Sequence, residues 1–264
     1  MASIEVEVPG ATLYAERLGA GPTLLFLNGS GTSIDESRPL LELLATSFDL
    51  VVFDQRGMGR SSVPEDPWAM ADLASDCHHV LDAFGLDHAA VLGLSFGGMV
   101  ALEFCVTWPE VVDQLVLWCT SAGGTLGSSY PLHQLAALEE EERSRLATRL
   151  LDRRFTPEWL TTHPGDQALV ALRAASPPPS GERARGIALQ LAARADHDVS
   201  SRLEAISCPT LVGAGRYDDL APVANSEAMA GRIAGARLEV YDGGHLFFLQ
   251  DPRAFEDARR FLAS

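Results

Sequence analysis

Residues 93–97 read Gly93-Leu94-Ser95-Phe96-Gly97. A short apolar run over 89–94 leads into the serine, and a helix-like pattern, Met99-Val100-Ala101-Leu102-Glu103-Phe104, follows it. A serine on such a strand-to-helix corner sits in a strained backbone with its hydroxyl raised above the sheet edge. Small residues two before and two after it are needed because the strand and helix backbones crowd there. The same corner aims the first free N–H groups of the helix at whatever the hydroxyl attacks. Ser95 is therefore the candidate nucleophile, and the Phe96 N–H a candidate donor to an oxyanion.

A serine hydroxyl needs a base to take its proton, and the base needs a carboxylate to fix its tautomer and stabilise its charge. Those partners are expected on loops after later strands, in the chain order serine, acid, histidine. Of the seven histidines, His245 alone lies beyond the last apolar strand pattern, in the turn Asp242-Gly243-Gly244-His245. His78, His79 and His88 precede the nucleophile. His133 and His163 fall in a charged helical stretch, and these five read as surface or packing residues; His197 is a weaker alternative base. The acid is expected after Cys208-Pro209-Thr210-Leu211-Val212, where two adjacent aspartates stand in Tyr217-Asp218-Asp219-Leu220-Ala221-Pro222. Asp218 is preferred, because in Asp-x-x-x-Pro the proline opens the next helix; Asp219 is the alternative. The loop 119–124 contains no carboxylate, which leaves an acid at that position unsupported.

The remaining requirement is a second N–H for the oxyanion. The glycine-rich loop Asn28-Gly29-Ser30-Gly31 follows an apolar strand, and the Ser30 N–H is assigned this role, with Asn28 and Gly29 as its supporting loop.

These groups must be held by the elements around them. Alternating stretches over 4–8 and 11–16, separated by Pro9-Gly10, predict a hairpin. Strands at 23–27, 49–53, 89–94 and 112–119 then alternate with helices at 36–46, 66–84 and 96–107. Strands that are nearly all apolar and alternate with helices predict a parallel sheet covered by helices on both faces. The alternation stops near Gly124. Helical patterns follow at 132–151, 157–161, 166–174 and 181–193, broken by Pro177-Pro178-Pro179, and the run Glu139–Glu142 reads as a solvated helix face. The rhythm resumes with a strand at 208–212, a helix at 221–233, a strand at 237–240 and a helix at 251–262. The expected organisation is a core of residues 1–124 and 200–264 with a helical lid of residues 125–199.

The segment Phe53-Asp54-Gln55-Arg56-Gly57-Met58-Gly59-Arg60-Ser61 resembles the Asp-x-Arg-Gly-x-Gly-x-Ser turn of the α/β-hydrolases. With the serine corner, the downstream aspartate and the final Gly-His, it makes the chain similar to that family over nearly its full length. The resemblance implies a mostly parallel eight-stranded sheet with a helical lid inserted after the sixth strand, and a structural rather than catalytic Asp54. Asn28-Gly29 stands where most of the family has His-Gly. In this the chain is similar to the enol-lactonases that hydrolyse 3-oxoadipate enol-lactone, as it is in Leu117-Trp118-Cys119-Thr120. The implied function is a serine hydrolase acting on a small carboxylic ester or lactone through a Ser95–His245–Asp218 triad. Three alternatives use the same fold: carbon–carbon bond hydrolysis of β-diketone-like substrates, cofactor-free perhydrolysis, and a small-ligand receptor. The ring-cleavage-product hydrolases of the family often carry Asn where this chain has Leu94, which ranks the first of these lower. Phe247 and Phe248 are candidates either for the pocket wall or for packing.

Composition narrows the classes further. With 36 acidic residues against 20 basic ones the net charge is −16, which opposes nucleic acid or an anionic membrane as partner. All the basic residues are arginine, so chemistry that needs a lysine is excluded. No apolar run approaches the roughly 20 residues of a membrane span, and the N-terminal stretch lacks an apolar signal core. Cys77, Cys105, Cys119 and Cys208 lack Cys-x-x-Cys spacing and read as buried free thiols of a reducing compartment. The expectation is a cytoplasmic protein with no cofactor and no metal, whose partner is a small, largely apolar substrate.

Overall fold

The computed structural model describes residues 2–174 and 178–263. Pro177 of the expected proline break lies outside them. Eight strands form one sheet: β1 (Ala2–Val8), β2 (Ala11–Gly19), β3 (Thr23–Leu27), β4 (Asp49–Phe53), β5 (Ala89–Leu94), β6 (Val112–Trp118), β7 (Thr210–Gly215) and β8 (Arg237–Tyr241). Their order is β1-β2-β4-β3-β5-β6-β7-β8. β2 runs antiparallel to both its neighbours, and every pairing from β4 to β8 is parallel.

Successive side chains of a strand point to opposite faces, and the apolar strands use both. Leu25, Leu27, Val51, Phe53 and Val91 pack on one side against α2 (Met70–Ala83), α3 (Phe96–Thr107) and α8 (Val223–Ala230). Leu24, Phe26, Leu50, Val52 and Leu92 pack on the other, against α1 (Ile34–Ala45), the short α9 (Phe247–Gln250) and α10 (Pro252–Leu262). Buried core on both faces is what allows a parallel sheet without alternating polar residues. α3 is buried nearly all round, as the helix behind the central strand must be.

Several boundaries differ from the expected ones. α2 begins at Met70 rather than 66: Asp66 precedes Pro67, which disfavours helix there, and the Asp72 carboxylate caps the start by accepting the Ala69 N–H at 2.8 Å. The stretch 132–151 divides into a 3₁₀ helix, Leu132–Ala137, and α4 (Glu140–Leu151). Glu140, Glu141 and Glu142 fill the first turn of α4, where negative charge favours a helix start. β7 begins two residues later than expected and ends three later, taking in Gly213 and Gly215. A Cβ at Gly215 would lie 1.9 Å from the Gly244 carbonyl oxygen, so glycine here is a strand residue crossed by another backbone rather than a loop signal.

Between β6 and β7 the chain leaves the sheet for the 3₁₀ turn, α4, α5 (Pro157–Thr162), α6 (Pro164–Ala174) and α7 (Gly181–Ala195). The two ends of this insertion meet. Gly123 bridges Asp198, and the Val199 N–H donates to the Ala122 carbonyl at 2.9 Å. Among the described residues no helix is long and apolar enough to cross a membrane.

Candidate active site

The corner between β5 and α3 places Ser95 at φ 55°, ψ −113°, a region that costs a non-glycine residue about 1–3 kcal/mol. Its surroundings hold it there. The Ser95 N–H donates to the Trp118 carbonyl at 2.8 Å, and the Ser95 carbonyl accepts from the Gly98 N–H at 2.9 Å and the Thr120 hydroxyl at 2.7 Å. The crowding that demands small neighbours is direct: a Cβ at Gly97 would lie 2.1 Å from the Leu27 carbonyl oxygen, and one at Gly93 2.5 Å from that of Gly97.

The partly exposed Ser95 Oγ lies 2.9 Å from His245 Nε2, and His245 Nδ1 lies 2.7 Å from Asp218 Oδ2. A carboxylate only accepts, so Nδ1 carries the proton and Nε2 is free to accept from the serine hydroxyl. Asp218 is 1 % exposed, and its other oxygen accepts the Leu220 and Ala221 N–H groups at 2.8 and 2.7 Å. Asp219 turns away to Arg153 at 3.5 Å. Burial by itself lowers the pKa of His245, but the Asp218 carboxylate, together with the neighbouring Cys119, outweighs it and the net shift is upward. Cys119, at φ 44° after β6, is buried beside this pair; burial pushes its thiol pKa up.

The loop after β3 runs alongside Ser95, since a Cβ at Gly29 would lie 3.7 Å from Ser95 Cβ. The Asn28 side-chain oxygen accepts from the Ser37 hydroxyl at 2.5 Å. The Gly31 N–H is taken by Gln190 Oε1 at 2.7 Å. Ser30 is partly exposed between them. The Phe96 N–H begins α3 and so has no carbonyl one turn before it.

The other histidines lie elsewhere. His88 pairs with Asp113 at 2.6 Å, His78 faces Asp82 at 3.2 Å, and His79 Nδ1 contacts the Ser75 carbonyl at 2.7 Å. His163 stacks on Trp159, and His133 is exposed. His197 bonds the Ser121 carbonyl at 3.1 Å, and burial pushes its pKa down to about 4. Asp54 is structural: it accepts the Ile34 and Arg60 N–H groups at 2.7 and 2.9 Å. Phe247 is fully buried in the core against Tyr241 and Trp118, while Phe248, only partly buried, stacks on Trp118 at the edge of that core.

The model of the alpha/beta hydrolase fold family matches residues 22–252. The chain belongs to this family. It is 28% identical over 238 residues to 3-oxoadipate enol-lactonase 2 of Acinetobacter baylyi, covering 90% of this chain and 86% of that one. It is 32% identical over 234 residues to a poly(3-hydroxyalkanoate) depolymerase of Ectopseudomonas oleovorans, covering 86% and 78%. A solved hydrolase from Pseudomonas aeruginosa is similar with a TM-score of 0.79 and 31% identity, covering 99% of this chain and 98% of that one.

As an alpha/beta hydrolase the chain shows site contacts that motif reading does not supply. The C-terminal end of α4 and the residues just after it touch the loops that carry Asp218 and His245: the His245 N–H donates to the Leu151 carbonyl at 2.5 Å, and the Arg153 N–H to the Tyr217 carbonyl at 3.0 Å. Gln250 accepts the Gly244 N–H at 2.9 Å and donates to Asp152 and Asp166 at 3.1 and 3.0 Å. On the other side, Gln55 donates to the Asn28 carbonyl at 2.9 Å and accepts from Gln190 Nε2 at 3.1 Å. The one signal for Gln190 is its place in the stripe Gly186, Gln190, Ala193, a polar residue on the buried face of α7. A cavity of about 780 Å³ opens within the insertion between α4, α5 and α6, and its walls include none of the candidate site residues.

Proposed function

We infer that this alpha/beta hydrolase is a serine hydrolase that cleaves a small carboxylic ester or lactone through an acyl-enzyme. The observation that carries the reading is the unbroken contact from Ser95 Oγ through His245 to Asp218, at 2.9 and 2.7 Å. As Oγ attacks the substrate carbonyl, its proton passes to His245 Nε2, and Asp218 stabilises the imidazolium that forms. The negative oxygen of the tetrahedral intermediate is held by the Phe96 and Ser30 N–H groups, each donor worth about 3–4 kcal/mol in the transition state. Collapse returns the proton from His245 to the leaving alkoxide and leaves the acyl group on Ser95. Water, deprotonated by His245, then attacks the acyl carbon and restores the serine. With a lactone the alkoxide stays tethered, and one hydroxy or oxo acid leaves.

The printed names of the relatives support this class, since an enol-lactonase and a polyester depolymerase both break carboxylic ester bonds. The insertion of residues 125–199 is read as the lid that bounds the substrate pocket and keeps it largely apolar. Free, buried cysteines support a reducing compartment such as the cytoplasm. A panel of p-nitrophenyl esters of increasing acyl length, with aliphatic lactones followed by acid release, tests the reading. Turnover in the wild type that Ser95→Ala lowers by about 10⁴-fold or more supports it. Turnover that survives the substitution overturns it.

A further inference from the structure

We propose that Gln190, carried by the inserted helix α7, is a positioning residue of the oxyanion hole, so that the insertion builds the site as well as bounding it. This rests on the reading above, in which the loop 28–31 supplies an oxyanion donor.

Gln190 is fully buried, and its two polar atoms have different tasks. Its Oε1 accepts the Gly31 N–H at 2.7 Å, and its Nε2 donates to Gln55 Oε1 at 3.1 Å. Gln55 Nε2 in turn donates to the Asn28 carbonyl at 2.9 Å. The polarity of this chain has only one solution. A backbone N–H at one end requires an oxygen, a carbonyl at the other requires an N–H, and two amides between them satisfy both without an orphaned group.

The consequence is local. The two glutamines grip the loop at its first carbonyl and its last N–H, and the Ser30 N–H lies between those grips. The gripped Asn28 carbonyl also abuts α3, where a Cβ at Gly97 would lie 2.6 Å from it, so both proposed donors share one rigid seat. The Gly31 N–H, already engaged by Gln190, does not compete for the oxyanion, and the Ser30 N–H keeps the role assigned to it. α7 is itself docked at backbone contact: a Cβ at Gly186 would lie 2.0 Å from the Gly57 carbonyl oxygen. Arg183 reaches the Gly31 carbonyl at 3.3 Å and Glu36 at 2.5 Å, and Ile187 packs over Gly31. Oxyanion donors work by being held in place before charge develops, so a looser loop weakens transition-state binding more than substrate binding.

The test compares wild type, Gln190→Leu and Gln190→Asn in three measurements: thermal unfolding, steady-state kinetics on one p-nitrophenyl ester, and inhibition by phenylboronic acid, whose tetrahedral serine adduct places an oxygen in the hole. The asparagine variant keeps the amide but is too short to serve both partners, and it reads the same contacts if the leucine variant does not fold. The expected result is a fall in kcat of about 10–100-fold with KM within about threefold. The boronic acid inhibition constant should rise in step with the loss in kcat/KM. A folded variant with unchanged kcat overturns the proposal, as does a loss confined to KM, which would make α7 a wall of the substrate pocket. Activity that survives Ser95→Ala would instead remove the serine mechanism itself, whatever Gln190 does.

Discussion

At the residue scale the site turns on two aspartates one position apart. Asp218 is buried, holds His245 with one oxygen and accepts two backbone N–H groups with the other; Asp219 is partly exposed beside Arg153. Asp218→Asn presents an amide to His245 and favours the wrong tautomer, so kcat should fall by about 10⁴-fold. Asp219→Asn removes only a solvent-screened pair and should stay within about threefold. Equal losses in the two variants would contradict the assignment. The protonation of His245 gives a second check. The ring must be neutral to accept the serine proton, and Asp218 raises its pKa against the effect of burial, so the acid limb of kcat/KM should have its midpoint above the ordinary histidine value of about 6.5. Titration of the His245 ring protons by NMR should show the midpoint moving down in Asp218→Asn; an upward move would contradict the electrostatic account. The meeting of Ser95 and His245 was legible because each stands in a short motif whose backbone demands are local. Asp218 was preferred over Asp219 through a proline four residues on, and the structure adds that the same carboxylate caps the turn leading to that proline.

At the element scale the corner between β5 and α3 depends on backbone approach that no side chain can share. Gly97→Ala would set a Cβ 2.1 Å from the Leu27 carbonyl oxygen and 2.6 Å from that of Asn28, and neither backbone atom can retreat without moving the loop that carries Ser30. The variant should melt well below the wild type and lose activity even in its folded fraction, as read by calorimetry and by kinetics below the transition. Wild-type activity in Gly97→Ala would contradict the close packing of α3 on β3. The strands were legible because a parallel sheet covered on both faces leaves apolar runs bounded by turn residues. β7 was displaced because Gly213 and Gly215 look like a loop, yet glycine is what lets the Gly243-Gly244 turn and Trp118 lie against that strand. The division of 132–151 was hidden because helical periodicity runs through both pieces.

At the scale of the whole molecule the insertion is fastened to the core at the two loops that carry His245 and Ser30. The end of α4 holds the His245 turn through the Leu151 carbonyl, and α7 holds the loop 28–31 through Gln190. Those attachments were not legible in the sequence. Gln190 and Gln55 are 135 positions apart, and each is an ordinary amide within its own local pattern. What composition did carry was the broad class: a strongly acidic chain without lysine, with enough apolar sequence for a core on both faces of a large sheet. The family match and the eight-stranded sheet agree with that class.

The most direct test of the serine mechanism is the intact mass of the protein after exposure to a small fluorophosphonate, alongside Ser95→Ala. A single phosphonyl adduct is expected on the wild type and none on the variant, because only an activated serine beside its base and oxyanion donors reacts. An unmodified wild type, or an adduct of equal extent on both proteins, would contradict it.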